Sequence, residues 1–189
     1  MSLQTWQETL VSAQVAGTLF NTYTTAKTVL PVGCLVTLPA NWWYVGRAIR
    51  VSVYGGFSTL VTTPGTCTMS VNLGAVTILT TGALQLNATA HTTLPFNFQA
   101  LLTCRAVGAT TTANCMGQAW VSGVMFTKTA AQVDQVNIGS SLPGPATAPG
   151  VGTGFDSTAA QTLDFFNAFS ISNAANGIQV QQYIVEALN

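Results

Sequence analysis

Between residues 94 and 105 every second side chain is apolar: Leu94, Phe96, Phe98, Ala100, Leu102 and Cys104 stand opposite Asn97, Gln99, Thr103 and Arg105. A period of two sustained this long is the pattern of a β-strand with one buried face, and no helix can place these residues on a common side. A single strand of this kind cannot fold alone. It requires hydrogen-bonded neighbours and a second layer over its apolar face.

The chain supplies candidates for both. Ile49, Val51 and Val53 alternate with Arg50, Ser52 and Tyr54 until Gly55-Gly56 interrupts the run. Met69, Val71 and Leu73 alternate with Ser70 and Asn72 before Gly74, and both runs read as half-buried strands. Leu35 to Leu38 is a short strand bounded by Gly33 and Pro39. A turn at 108–112 leads into a return strand from Cys115 to Phe126, where Gly117 and Gly123 mark a bulge or close packing. Leu163, Phe165, Phe169 and Ile171 share a side broken only by Asn167, and Ile178 to Leu188 follows an Asn176-Gly177 step suited to a hairpin turn. These last two segments are expected to pair antiparallel.

The remaining parts are less regular. Leu3, Trp6, Leu10 and Val11 fit helical spacing, whereas Val11, Ala13 and Val15 fit a strand; we favour an extended arm and first strand over 1–20. Residues 129–161 lose all periodicity and carry Pro143, Pro145 and Pro149 among glycines, an irregular crossover expected to be functional, disordered or laid across a neighbouring subunit. About eight strands, few helical signals and one long crossover predict a single all-β domain spanning 1–189: a jelly-roll-like β-sandwich of antiparallel strands.

Charge narrows the function. Only 5% of the 189 residues are Asp, Glu, Lys or Arg, with no net charge, while 48% are hydrophobic. That balance excludes disorder and gives no clustered cations for nucleic acid. A membrane-spanning helix needs about 20 consecutive apolar residues, and the apolar stretches here are broken by Thr, Ser, Gly or Asn. The N-terminus has neither the basic start nor the apolar stretch of a signal peptide, so export by the general secretory route is not expected. Threonine, 29 in all, replaces charge on the surface, and such a surface is expected to be covered by copies of itself or by a partner.

Catalytic groups are sparse. His91 is the only histidine, placed in a loop before the long strand, and the acids nearest in sequence are Glu8 and Asp134. Asp156 and Asp164 are the only plausible local acid pair, with Asp156-Ser157-Thr158 more naturally an Asx turn. Cys34, Cys67, Cys104 and Cys115 contain no Cys-x-x-Cys pair, which argues against zinc. Cys104 and Cys115 can face each other across a hairpin and permit a disulfide, although buried free thiols are the expectation without export. Gly150-Val151-Gly152-Thr153-Gly154 lacks the Lys and Ser/Thr of a phosphate loop. No catalytic residue, metal or cofactor is expected, and the protein is not read as an enzyme.

Aromatic residues are the better guide to binding. Trp42-Trp43-Tyr44 are consecutive, so in an extended segment at least one faces away from the core; Phe165 and Phe166 point to opposite sides of one strand. Exposed Trp and Tyr bury large area at low entropy cost where proteins meet sugars or proteins. Trp6, Trp42, Trp43, Tyr44 and Phe166 are therefore the candidate contact residues towards other subunits or a partner.

Several segments carry a family resemblance: Trp6-Gln7-Glu8-Thr9-Leu10, Thr37-Leu38-Pro39-Ala40-Asn41, Gly46-Arg47, Leu101-Leu102-Thr103-Cys104-Arg105, Met116-Gly117-Gln118, Gly152-Thr153-Gly154-Phe155-Asp156-Ser157-Thr158 and the ending Tyr183-Ile184-Val185-Glu186-Ala187-Leu188-Asn189. Together they resemble small structural proteins of tailed bacteriophages, especially those infecting actinobacteria. The resemblance implies a jelly-roll subunit on the capsid or tail exterior, commonly a trimer. The expected function is capsid decoration: a homotrimer assembled in the host cytoplasm that binds the major capsid protein on the outside of the head and reinforces it, with no nucleic-acid or membrane partner. The alternative is a glycan-gripping, receptor-binding module of a tail fibre or baseplate.

Overall fold

The computed structural model describes residues 7–31, 33–60, 62–127, 141–144, 150–152 and 154–188. Its strands are β1 (Glu8–Ser12), β2 (Phe20–Asn21), β3 (Lys27–Thr28), β4 (Val36–Leu38), β5 (Ala48–Thr59), β6 (Thr66–Leu73) and β7 (Val76–Thr80). They continue with β8 (Leu84–Gln85), β9 (His91–Ala106), β10 (Asn114–Gly123), β11 (Ser141–Gly144), β12 (Gln161–Phe169) and β13 (Gly177–Ala187). One antiparallel sheet has seven strands in the order β1-β13-β5-β9-β10-β11, with β2 also on β13. The other has six, β3-β12-β6-β7, with β4 also on β12 and β8 on β6. The all-β sandwich is as the alternation predicts.

Counted this way, the strands exceed the expected eight for a local reason. Three edge runs are interrupted and rejoin the same neighbour. β1 and β2 both lie on β13, and between them Ala13 N donates to Tyr183 O and Gly17 N to Val180 O. β3 and β4 share β12, and β7 and β8 share β6. Residues 8–21 therefore belong to the sheet edge and include the expected first strand. Residues 1–6, Trp6 among them, lie outside the described residues.

β9 buries Phe96, Phe98, Ala100, Leu102 and Cys104 as the alternation requires. Three other expectations need correction. β5 runs straight through Gly55-Gly56, because Gly55 packs where a Cβ would collide with Gln179 O. From Met69 to Leu73 β6 is buried on both sides, Ser70 and Asn72 included, because these short outward side chains stand between cross-strand neighbours, Phe166 and Thr80 beside Ser70 and Asp164 and Thr77 beside Asn72. The expected β12–β13 hairpin does not form. β12 joins the six-stranded sheet and β13 the seven-stranded one, so the link crosses the sandwich and both apolar rows face a common core. Neither Asn176 nor Gly177 takes the positive φ that a hairpin Asn-Gly turn needs.

Part of the irregular 129–161 segment is also sheet. β11 pairs with β10 at the end of the sheet order, setting Pro143 opposite Trp120, and an end strand is where a proline is tolerated. Residues 129–140, 145–149 and 153 lie outside the described residues.

The core packs aromatic rings within and across the two sheets, edge to face around Phe57 and tilted between Phe98 and Phe165. Phe57 lies 5.5 Å from both Phe126 and Phe169 and 5.8 Å from Phe96, while Phe98 and Phe165 are 4.9 Å apart. Asn167, the polar break in the β12 apolar row, is fully buried and donates to Tyr23 Oη at 3.2 Å. Burial pushes the Tyr23 hydroxyl up to about 12. Cys104 and Cys115 are direct cross-strand partners as the hairpin predicts; they and the other two cysteines are buried free thiols. Gly117 is the close approach: a Cβ there would meet Leu102 Cδ2 at 3.0 Å.

Candidate interaction surface

Local turn chemistry sorts the three consecutive aromatics. Trp42 N donates to Pro39 O and Arg47 N to Tyr44 O, closing two turns whose third residues, Asn41 (φ 60°) and Gly46 (φ 93°), take the left-handed conformation that Asn and Gly tolerate best. Between these turns Trp43 points inward, 5% exposed, edge-on to Trp42 at 5.0 Å and to Phe155 at 5.7 Å. Trp43 is thus a core residue of the folded subunit and is unsuited to a contact role. Trp42 is half-buried beneath Arg47, whose guanidinium sits 3.6 Å from the ring centroid and donates from Nη1 to Trp42 O at 2.6 Å. Tyr44 and Val45 are exposed.

This aromatic end of the sandwich is tied rigidly. Ser157 is buried, its Oγ accepts from Gly108 N at 2.8 Å, its N donates to Gly108 O, and its carbonyl accepts from Asn41 N. Gly46 N donates to Cys104 O, and Cys104 N to Arg47 O. The result is a preorganised platform presenting Tyr44, Val45 and Val107, all exposed. Phe166 is elsewhere, half-buried on the outer face of the six-stranded sheet, with Phe165 on the core side as the alternation requires.

At the opposite end, Asn176 is fully buried and holds three loops. Its Nδ2 donates to Pro64 O at 3.0 Å and Ile171 O at 3.4 Å, and its Oδ1 accepts from Leu60 N at 2.8 Å. Cross-sheet links this dense suit a structural knot.

Three of the acids among the described residues are committed to structure. Asp156 Oδ1 accepts from Thr158 N and Oγ1, the expected Asx turn, and the Thr158 hydroxyl bond leads the causes holding its carboxyl below the ordinary range. Asp164 accepts from Thr28 Oγ1 at 2.7 Å and from Phe165 N, yet burial prevails and raises its carboxyl. Glu186 faces Arg50 at 3.4 Å. His91 is not a loop residue: it opens β9 opposite Thr59, half-buried. Asp134 lies outside the described residues.

The outer face of the seven-stranded sheet holds what the sequence reading missed. Trp120 stands 56% exposed on β10 beside Gln99, and the next row along the strands reads Gln182, Tyr54, Asn97 and Ser122 across four strands. The parity of Cys115, Ala119 and Val121, all buried, already turned Trp120 outward. Along that row lies a surface cleft of about 460 Å³. A search of family models, of curated proteins and of solved structures found no match to this chain.

Proposed function

We propose that this protein is a virion structural subunit of a tailed phage, a capsid decoration protein that docks on the outside of the head as a homotrimer through its aromatic end. The fold is read as a jelly roll. With each interrupted edge run taken as one strand (8–21, 27–38 and 76–85), the first sheet orders the runs first, eighth, third, sixth, and the second sheet orders them second, seventh, fourth, fifth. That interlocked order supports this reading, since it follows the pair of Greek keys of the jelly roll common in viral capsid proteins, with β10 and β11 added beside the sixth run.

The observation that carries the functional reading is the platform of Tyr44, Val45 and Val107, held by the Ser157 and Arg47 hydrogen bonds in a chain with little charge to solvate it. A rigid apolar end loses little entropy on docking, so most of its burial is retained as affinity. Three linked copies then multiply the effective affinity without any chemistry. The major capsid protein is the proposed partner.

Val45→Asp tests this at a turn tip where the fold tolerates change. Surface substitutions of this kind shift stability by about 0.5 kcal/mol or less, so the melting curve is expected to stay put while binding to undecorated heads is lost. Unchanged binding by the folded variant would overturn the docking surface. Light scattering of the wild type is expected to give a trimer, and a stable monomer at micromolar concentration contradicts that part.

A further inference from the structure

The cleft on the seven-stranded sheet has the chemistry of a neutral-sugar site. Its wall brings together Tyr54, Asn97, Ser122, Gln181 and Gln182. Two of these are placed by an irregularity. The β13–β5 register shifts between Val180 and Gln182, so Gln181 is an extra residue and two successive glutamines face solvent where strict alternation allows one. Bulges re-aim side chains in this way, and they are over-represented beside binding and active sites.

Tyr54 adds a poised hydroxyl. Its Oη accepts from Gln99 Nε2 at 2.7 Å, leaving its own proton to donate. Asn97, Gln181 and Gln182 make no side-chain hydrogen bond to another described residue. Each amide offers a donor and an acceptor together, the pairing that a sugar hydroxyl satisfies from both sides. One strand row away, about 7 Å along β10, the exposed indole of Trp120 supplies a flat apolar surface for a sugar ring.

Charge selects among glycans. The row lining the cleft is neutral, and the nearest pair on this face, Arg50 and Glu186, is mutually neutralised two rows from it. Among the described residues no cation lines the cleft to receive a carboxylated or sulfated sugar.

We propose that this cleft binds a neutral oligosaccharide, with the ring stacked on Trp120 and the hydroxyls held by Asn97, Gln181, Gln182 and Tyr54. The site is separate from the aromatic end and does not depend on the capsid reading. It also differs from the glycan site expected at Trp42, Trp43 and Tyr44, where one ring is buried and another is covered by Arg47.

The test uses the full-length protein in isothermal calorimetry against neutral hexasaccharides (glucan, galactan, mannan and arabinan), with sialyllactose as the charged comparison. At least one neutral glycan is expected to bind with Kd on the order of 1 mM or tighter. Trp120→Ala, which alters an exposed side chain, is expected to weaken it at least tenfold, and Trp120→Phe to recover part of the loss. Asn97→Ala is expected to weaken it several-fold with an unchanged melting temperature. No neutral glycan bound at ten times that concentration, equal binding by Trp120→Ala, or a preference for sialyllactose would each overturn the proposal.

Discussion

Replacing Asn176 by Ala probes the crossing of the two sheets at a single side chain. The amide serves three backbone groups, two strongly: Leu60 N at 2.8 Å and Pro64 O at 3.0 Å; the 3.4 Å bond to Ile171 O adds less. Removing it strands a buried carbonyl and a part-buried N–H at about 1–3 kcal/mol each. Discounting Leu60, which water can reach in part, leaves about 2–4 kcal/mol. For a chain of this size each kcal/mol moves the melting point by about 2–4 °C, so a drop of about 5–15 °C is expected by circular dichroism. Asn173→Ala, which loses only an exposed bond to Ala175 N, is the control and should cost less than about 1 kcal/mol. Asn176→Asp keeps the acceptor for Leu60 but turns a carboxylate on the Pro64 and Ile171 carbonyls. Burial raises such a carboxyl, so this variant should be stabilised by acid and lose that stability as pH rises. An Asn176→Ala protein within 1 kcal/mol of wild type would refute the reasoning.

Other expectations follow from the same geometry. Phe57→Ala removes three edge-to-face contacts from the core and should cost about 3–5 kcal/mol in urea denaturation; a cost below 1 kcal/mol would contradict the packing. Asp164, raised above its ordinary value of 3.8 chiefly by burial, favours folding most below its unfolded pKa, and that contribution is lost as pH rises through the folded one. Asp164→Asn should therefore gain on wild type between acid and neutral pH, and parallel melting profiles would dismiss the effect. Burial also pushes the Cys67 and Cys115 thiols far up, so an aromatic disulfide reagent should label no cysteine quickly in the native protein and all four after unfolding; one fast native thiol contradicts the free, buried assignment.

Legibility in the sequence followed burial. β9 and β12 bury one face each, and alternation located them, down to Asn167 as the polar residue on the inward row. β6 has both faces covered, so its alternation is chemically real but carries no exposure signal. β12 and β13 do not pair because the Asn-Gly step, a turn signal by its local chemistry, is held by long-range bonds of the Asn176 side chain to Leu60 and Pro64. Edge strands of two residues, such as β2, β3 and β8, are too short to leave a periodic trace and exist only because a long neighbour presents its ladder. The aromatic cluster at 42–44 was visible, but which ring points inward depends on the left-handed residues Asn41 and Gly46. Trp120 was within reach of parity alone, whereas the cleft beside it depends on the β13 bulge, which only the register shows.

The central claim, that this subunit coats a phage head, is tested most directly by quantitative mass spectrometry of purified particles, ratioing this chain to the major capsid protein. Decoration predicts a copy number comparable with that of the capsid subunit. A ratio of a few per cent or less, as befits a tail fibre or baseplate component, would contradict it.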